Sequence, residues 1–275
     1  MMETVLVPTD LSAAQEGVMR FCTGLGDLGV TRAVCCHVVD ATGLEGPVIA
    51  SKVDSARRSL QRAVEPIRAA GIEVEVRVPT GDPERELLLI ASEEHIDAVV
   101  CGSSGKNAAD RLFVGSVSER LARDGGIPSL TLRYDMLRAA EDPADLARRF
   151  ARMLLVPTDF SGTAARALNM ALSIPKRSLG SLRILTVSSG APAEDAEAEE
   201  ALKKLVAVAK GRGVYATPVI GHGKPERAIL AEVDESGITV VVVGSRGRSL
   251  LQEALLGSVS MTLVRQAPVP VLIVP

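Results

Sequence analysis

The chain has 275 residues, of which 47% are hydrophobic and 24% charged, with a formal net charge of -3. Because a single hydrophobic core rarely grows beyond roughly 250 residues, this length favours two domains. The weak net charge argues against nucleic acid or an anionic membrane as a partner, and an aromatic content of 2% without tryptophan excludes the stacking surfaces of single-strand nucleic-acid binders.

Several features predict a soluble, cytoplasmic protein with reduced thiols. The N-terminus lacks the basic and long apolar segments of a secretory signal, and the longest aliphatic runs, such as residues 240–243, are far too short to span a membrane. The four cysteines all lie in the first half and include no C-x-x-C pair, so a disulfide framework is not expected. Of the four, which are Cys22, Cys35, Cys36 and Cys101, the last three are interpreted as small core residues.

In the first half of the chain, short β-rich runs alternate with segments whose apolar residues recur at the helical period. This alternation predicts a parallel sheet with helices on both faces. Glycines and a proline within residues 40–49 predict a loop after the second strand. The predicted strands are residues 4–7, 33–39, 73–78, 98–101 and 129–133, and the predicted helices are approximately residues 12–25, 51–70, 83–95 and 116–123.

A short linker helix is predicted at residues 135–151, between a first domain of residues 1–134 and a second domain of residues 152–275. Within this segment, Asp142 followed by Pro143 is typical of a helix start. The run 240–243 consists of four valines, as expected of a strand buried on both faces. The strands predicted in the second domain are residues 153–156, 182–187, 215–220, 239–243 and 270–274.

The two halves are copies of one domain. Residues 7–10 recur as residues 156–159 at a separation of 149. Four further pairs share a constant separation of 142: Gly81 with Gly223, Gly102 with Gly244, Gly115 with Gly257, and Pro128 with Pro270. This duplication predicts tandem domains. Since the last strands occupy comparable positions in the two copies, we expect edge pairing of the domains within the chain, or of two chains in a homodimer.

Both copies contain the glycine pattern G-x-x-G-x9-G-S. Glycines let backbone N–H groups approach phosphate oxygens, and a Gly-Ser at a helix start presents unpaired donors at the positive end of the helix dipole. The pattern therefore predicts a phosphate site. A competing interpretation of Ser116 is a capping box with Glu119, but Met261 replaces the glutamate in the second copy. The pattern comprises Gly102, Gly105, Gly115 and Ser116 in the first copy, and Gly244, Gly247, Gly257 and Ser258 in the second.

An aspartate follows the first strand in each copy, at Asp10 and Asp159. Doubly wound sheets bind ligands at the carboxyl ends of the strands, where the winding direction reverses. If the first and fourth strands are neighbours there, Asp10 faces Gly102. A carboxylate accepts hydrogen bonds, which suits the hydroxyls of ribose or the amino edge of adenine.

With these motifs, both halves resemble the universal stress protein family in its tandem, ATP-binding form, over nearly the whole chain. The resemblance implies an α/β fold of two tandem Rossmann-like domains of the adenine nucleotide alpha hydrolase-like type. Each would have a five-stranded parallel sheet of order 3-2-1-4-5 with helices on both faces.

The resemblance also implies the residues of two nucleotide sites, with Val38 and its counterpart contacting the base. The first site would comprise Pro8, Thr9, Asp10, Val38, Gly102, Ser104, Gly105, Gly115, Ser116, Val117 and Ser118. The second would comprise Pro157, Thr158, Asp159, Val187, Gly244, Arg246, Gly247, Gly257, Ser258, Val259 and Ser260. Because Arg246 and Arg248 replace Ser104 and Lys106, the second site is expected to bind nucleotide more strongly.

The implied function is a stress-response module that binds ATP, ADP or AMP and acts as a regulator or sensor, with slow ATP hydrolysis at most. The sequence has no Walker lysine motif and no nucleophile with a nearby histidine, so no catalytic residues are assigned. Because His37, His95 and His222 lack metal-ligand spacing, no resident metal is expected, and Mg²⁺ would arrive with the nucleotide.

Two alternatives stay open. One is an adenylating or ATP pyrophosphatase-type enzyme, which pyrophosphate release would reveal. That class carries a Ser-Gly-Gly-x-Asp-Ser loop after the first strand, where residues 8–12 here read Pro-Thr-Asp-Leu-Ser. The other is a nucleotide-free dimerisation scaffold, which the absence of nucleotide binding in calorimetry would identify.

Overall fold

The structure, a computed structural model, describes residues 2–103, 126–247 and 257–275. These residues form two compact units, residues 2–148 and residues 149–275, which we call the first and second domain. The predicted helix at residues 116–123 lies outside the described residues, as do six predicted residues of the first site. Those six are Ser104, Gly105, Gly115, Ser116, Val117 and Ser118.

The first domain is built on a parallel sheet of order β3-β2-β1-β4-β5. Its described strands are β1 Thr4–Pro8, β2 Arg32–Cys36, β3 Glu73–Arg77, β4 Ala98–Ser103 and β5 Ser129–Arg133. The described helices are α1 Glu16–Cys22, α2 Gly46–Ala63, α3 Glu65–Ala69, α4 Pro83–Glu93 and α5 Tyr134–Ala139, with 3-10 turns at Ala13–Gln15 and Leu25–Leu28. The helix α6, Pro143–Arg149, leads into the second domain.

The second domain repeats this arrangement, with the strand order β10-β9-β6-β7-β8. Counted along its own sequence, this is the predicted order 3-2-1-4-5, so the predicted fold is confirmed in both domains. Its described strands are β6 Met153–Pro157, β7 Ser181–Ser188, β8 Tyr215–His222, β9 Val240–Gly244 and β10 Val271–Val274. Its described helices are α7 Gly162–Leu172, α8 Pro192–Gly211, α9 Pro225–Glu235 and α10 Ser258–Gln266.

The fourth strand of each domain is buried along its whole length. Every residue of β4 and of β9 is buried, which agrees with the absence of polar alternation in their sequences. Leu87 and Ile90 of α4 pack against one face of the first sheet, and Ile229 and Val233 of α9 pack against the corresponding face of the second. These helices therefore cover one face of each sheet.

The predicted second helix of the first domain, residues 51–70, differs from the structure at both ends. It begins five residues earlier, at Gly46, because Pro47 in the first turn has a backbone geometry suited to a helix start; the prediction assigned this proline to a loop. It is also divided at Val64, since Pro66 lacks the N–H that a continuous helix requires.

The segment predicted as one linker helix, residues 135–151, contains α6 and nearly all of α5. The chain leaves the helical conformation at Ala140, whose φ of -74° and ψ of 134° are extended. The helix α6 starts as predicted, with the Oδ1 atom of Asp142 accepting a hydrogen bond from the N–H of Ala144 at 3.1 Å. Only α6 has a recognisable start signal in the sequence.

All four cysteines are buried and none forms a disulfide. Burial raises the pKa of Cys35 and of Cys36 to about 12, so both are protonated thiols near neutral pH and behave as small core residues, as predicted. Within the described part of the chain, no helix combines the length and apolar character needed to cross a bilayer.

Candidate functional site

A short turn after β1 presents Asp10. Leu11 has a φ of 62°, in the left-handed region that bulky residues rarely adopt. Two side chains hold this turn: the Thr9 hydroxyl accepts a hydrogen bond from the N–H of Leu11 at 3.0 Å, and the Asp10 Oδ1 atom accepts one from the N–H of Ser12 at 2.9 Å. Thr9 and Asp10 thus build the turn at the carboxyl end of the central strand.

The same turn recurs after β6. Phe160 has a φ of 60°, and its N–H donates to the Thr158 hydroxyl at 3.0 Å. The N–H of Ser161 donates to Asp159 Oδ1, also at 3.0 Å. Pro157 ends β6, and the N–H of Thr158 donates to the carbonyl of Leu185 in β7 at 2.8 Å. The repeat noted in the sequence is therefore a repeat of backbone conformation as well.

In the second domain, the glycine loop after β9 passes directly beside this aspartate. A Cβ added to Gly247 would lie 2.9 Å from Asp159 Oδ2, so only glycine fits there without displacing the carboxylate. The loop begins at Gly244, and the next N–H, that of Ser245, donates to the carbonyl of Val274 at 2.7 Å. Strands β6 and β9 are neighbours, and the predicted proximity of aspartate and glycine loop exists in this domain.

The start of α10 is tied to the same loop. The N–H of Gly257 donates to the carbonyl of Ser245 at 2.8 Å, and the hydroxyl of Ser260 donates to the carbonyl of Gly244 at 2.8 Å. Gly257 is the N-cap residue and has no side chain with which to cap the helix, so the positive end of α10 lies at the glycine loop. Ser258 is exposed and Val259 is half-buried. Ser260 is buried, and its hydroxyl is used in the hydrogen bond to Gly244.

Close packing also explains why two of the predicted site residues are glycines, which their spacing alone does not indicate. A Cβ on Gly244 would lie 2.9 Å from the Oγ1 and carbonyl carbon atoms of Thr163, at the start of α7. A Cβ on Gly102 would lie 2.3 Å from the Tyr134 ring. Both glycines therefore allow another element to approach the end of a strand, in addition to any role at a phosphate.

The first domain contains a cleft of about 900 Å³ at the carboxyl ends of β1 and β2, a volume within the range of small-molecule sites. Asp10 and Val38, both predicted site residues, line it. An inner pocket that shares these two residues is lined by Pro8 and Thr9 as well, so four of the predicted residues surround one space. His37 also lines both, and its Nδ1 atom lies 2.8 Å from the carbonyl oxygen of Thr9.

The charges around this cleft are mostly negative. Four carboxylates and one lysine line it, and the three serine or alanine residues that α2 contributes carry no charge. An acidic wall repels phosphate, so it suits the neutral base and the ribose hydroxyls of a ligand, with phosphates directed elsewhere. The charged residues are Asp10, Asp40, Asp82, Glu84 and Lys52.

Sequence reasoning missed Gln15, which lines the inner pocket and is only 5% exposed. Its Nε2 atom donates to the Tyr134 hydroxyl at 3.0 Å, while its Oε1 atom is buried without a hydrogen-bond partner in the described structure. The repeat gives no signal for this residue, because the second copy has Ala164 at the corresponding position, 149 residues later.

The second domain has a polar cluster at the carboxyl ends of β7 and β8. Asp195 of α8 accepts a hydrogen bond from the Ser188 hydroxyl, and its Oδ2 atom lies 3.2 Å from His222 Nε2. The bond from Ser188, with a smaller contribution from His222, lowers the pKa of Asp195 below its ordinary value. Val187, a predicted site residue, is half-buried in β7 beside this cluster.

Comparison with known proteins gives the family. The sequence model of the universal stress protein family matches residues 1–133 and 151–275. A universal stress protein structure from Archaeoglobus fulgidus is 29% identical, with a TM-score of 0.80 over 100% of this chain and 98% of that chain. Universal stress protein YxiE of Bacillus subtilis is 32% identical over 143 residues, which are 44% of this chain and 97% of the relative.

A tandem relationship is also visible in a longer alignment. Universal stress protein Rv2005c of Mycobacterium tuberculosis is 28% identical over 199 residues, covering 67% of this chain and 64% of the relative. The two segments that the family model matches, residues 1–133 and 151–275, coincide with the two copies of the α/β domain described above. The chain therefore belongs to the universal stress protein family.

Proposed function

We propose that this chain binds adenine nucleotide, ATP, ADP or AMP, in both domains and acts as a regulatory or sensor module in a stress response. The observation that carries the proposal is the meeting of Asp159, Gly247 and the uncapped start of α10 at the carboxyl end of β6. A carboxylate beside glycine amides and a helix dipole combines an acceptor for ribose or adenine with donors for phosphate.

The charges of the second site fit such a ligand. Arg246 is half-buried between Ser245 and Gly247, and its guanidinium forms no ion pair within the described ranges. An arginine at this position of the loop suits a phosphate group, with which it can form charge-assisted hydrogen bonds. Mg²⁺ would arrive with the nucleotide, because phosphate oxygens of the nucleotide are among its usual ligands.

In the first domain the cleft supports binding of the nucleoside part. Pro8, Thr9, Asp10 and Val38 line its inner part, and the acidic wall disfavours phosphate groups there. We expect the second site to bind ATP more tightly, since it carries Arg246 where the first carries Ser104.

Titration calorimetry with ATP, ADP and AMP tests the proposal, together with mass spectrometry of small molecules released from freshly purified protein. Two equivalents of nucleotide are expected per chain. Gly247→Val should abolish the tighter one, because its side chain displaces Asp159. Gly162→Ala is the matched control, since a Cβ there lies 3.7 Å from its nearest neighbour, Arg166 Nη1. Absence of binding for all three nucleotides would refute the proposal.

A further inference from the structure

The glycine loop of the second domain is anchored by a side chain that lies outside the glycine pattern. The Thr163 hydroxyl, in the first turn of α7, donates a hydrogen bond to the carbonyl oxygen of Arg246. The Ser161 hydroxyl lies 3.0 Å from Thr163 Oγ1 and completes a chain of hydroxyl groups that ends on the loop. The anchor therefore joins the start of α7 to the peptide that links Arg246 and Gly247.

Anchoring this carbonyl also determines the direction of an amide. A trans peptide is planar, so the carbonyl of Arg246 and the N–H of Gly247 point in opposite directions. With the carbonyl held by Thr163, the N–H of Gly247 points away from that hydroxyl, and it has no hydrogen-bond partner in the described part of the chain. A glycine peptide without an anchor rotates readily, because glycine occupies both halves of backbone conformational space.

We propose that Thr163 is a positioning residue of the second nucleotide site: by holding the carbonyl of Arg246, it presents the N–H of Gly247 to the phosphate chain of the ligand. The inference rests on the proposed function. It adds a residue outside the glycine pattern, and it concerns the phosphate part of the ligand, because the carbonyl that Thr163 holds belongs to the glycine loop.

The two domains differ at this position. At the separation of 149 that relates the aspartate turns, Ala14 matches Thr163 in the first domain. Ala14 lies in the 3-10 turn Ala13–Gln15 and has no hydroxyl to offer a carbonyl. The first domain therefore has no hydroxyl at this position, and the Thr163 anchor adds to Arg246 as a reason for tighter binding of phosphorylated ligands in the second domain.

The test uses two variants of the full chain that differ by one hydroxyl group. Both are made in an Asp10→Ala background, which weakens the first site, and titrated with ATP and with adenosine. Thr163→Ala should weaken ATP binding about tenfold, the effect of one lost hydrogen bond at a charged group, with adenosine binding changed less than about twofold. Thr163→Ser should stay within about twofold of the background protein for both ligands.

The outcomes separate the two proposals. Three outcomes would overturn the positioning role and leave the proposed function standing. They are an unchanged ATP affinity in Thr163→Ala, an equal loss of affinity for ATP and adenosine in that variant, and a loss of ATP binding in Thr163→Ser. If the background protein binds no nucleotide at all, the proposed function fails and this inference with it. Urea unfolding of both variants confirms that they are folded at the titration conditions.

Discussion

Replacing Gly244 with alanine should destabilise the second domain. The new Cβ would lie 2.9 Å from the carbonyl carbon and Oγ1 of Thr163, and 3.0 Å from the backbone nitrogen of Ala164. Nonbonded carbon atoms rest at about 3.5–4.0 Å, so α7 would have to move outward by roughly 0.6 Å or more. Two of the three atoms belong to the helix backbone, which no rotamer change can relieve. Overpacking of this kind costs about 1–3 kcal/mol.

Urea unfolding followed by circular dichroism measures this loss. With an m-value of about 1–3 kcal/mol per M, the transition of the second domain should move to lower urea by about 1 M. Gly211→Ala, at the end of α8, is the matched control, because an added Cβ there meets nothing within 4 Å. It should leave stability unchanged or raise it by up to about 1 kcal/mol. If Gly244→Ala unfolds at the same urea concentration as Gly211→Ala, the packing explanation of Gly244 is wrong.

Two further predictions concern polar groups. Ser188→Ala should raise the pKa of Asp195 toward its ordinary value of 3.8, observed by NMR titration of the carboxyl carbon, and an unchanged pKa would contradict the assigned cause. Because folding lowers this pKa, the stabilisation is present above the unfolded-state pKa and is lost as the pH falls through the folded-state pKa. Tyr134→Phe removes the acceptor of the buried Gln15 amide and should cost about 1–3 kcal/mol of unfolding free energy. Tyr215→Phe is the control and should cost nothing, because Tyr215 is 71% exposed. Equal urea midpoints for the two variants would argue against the hydrogen bond between Gln15 and Tyr134.

Much of the fold could be predicted because burial leaves a local pattern. The four valines of residues 240–243 indicate a strand covered on both faces, and the structure has β9 at Val240–Gly244. Residues 7–10 recur as residues 156–159, and Leu11 and Phe160, which follow the two copies, both adopt the left-handed conformation. In each case the neighbours that decide the structure are close in sequence or repeated at a constant spacing.

Other features depend on residues far apart in sequence. The packing of Tyr134 against Gly102 joins residues 32 positions apart, and nothing near either residue indicates it. The division of the predicted linker helix at Ala140 was missed, because the start of α5 has no capping side chain that would mark a separate helix. Gln15 was missed for a related reason: a glutamine at the start of a helical pattern is ordinary, and only the Tyr134 hydroxyl and the inner pocket make it unusual.

The sequence by itself determined that two copies of an α/β domain follow one another and that an aspartate and three glycines recur in each, because repetition and hydrophobic period are properties of the chain alone. Only the tertiary structure decided that Asp159 touches the glycine loop at Gly247 and that Thr163 anchors that loop. These contacts join the β6–α7 connection to the loop after β9, more than 80 residues away, and their distances depend on how closely α7 can approach Gly244.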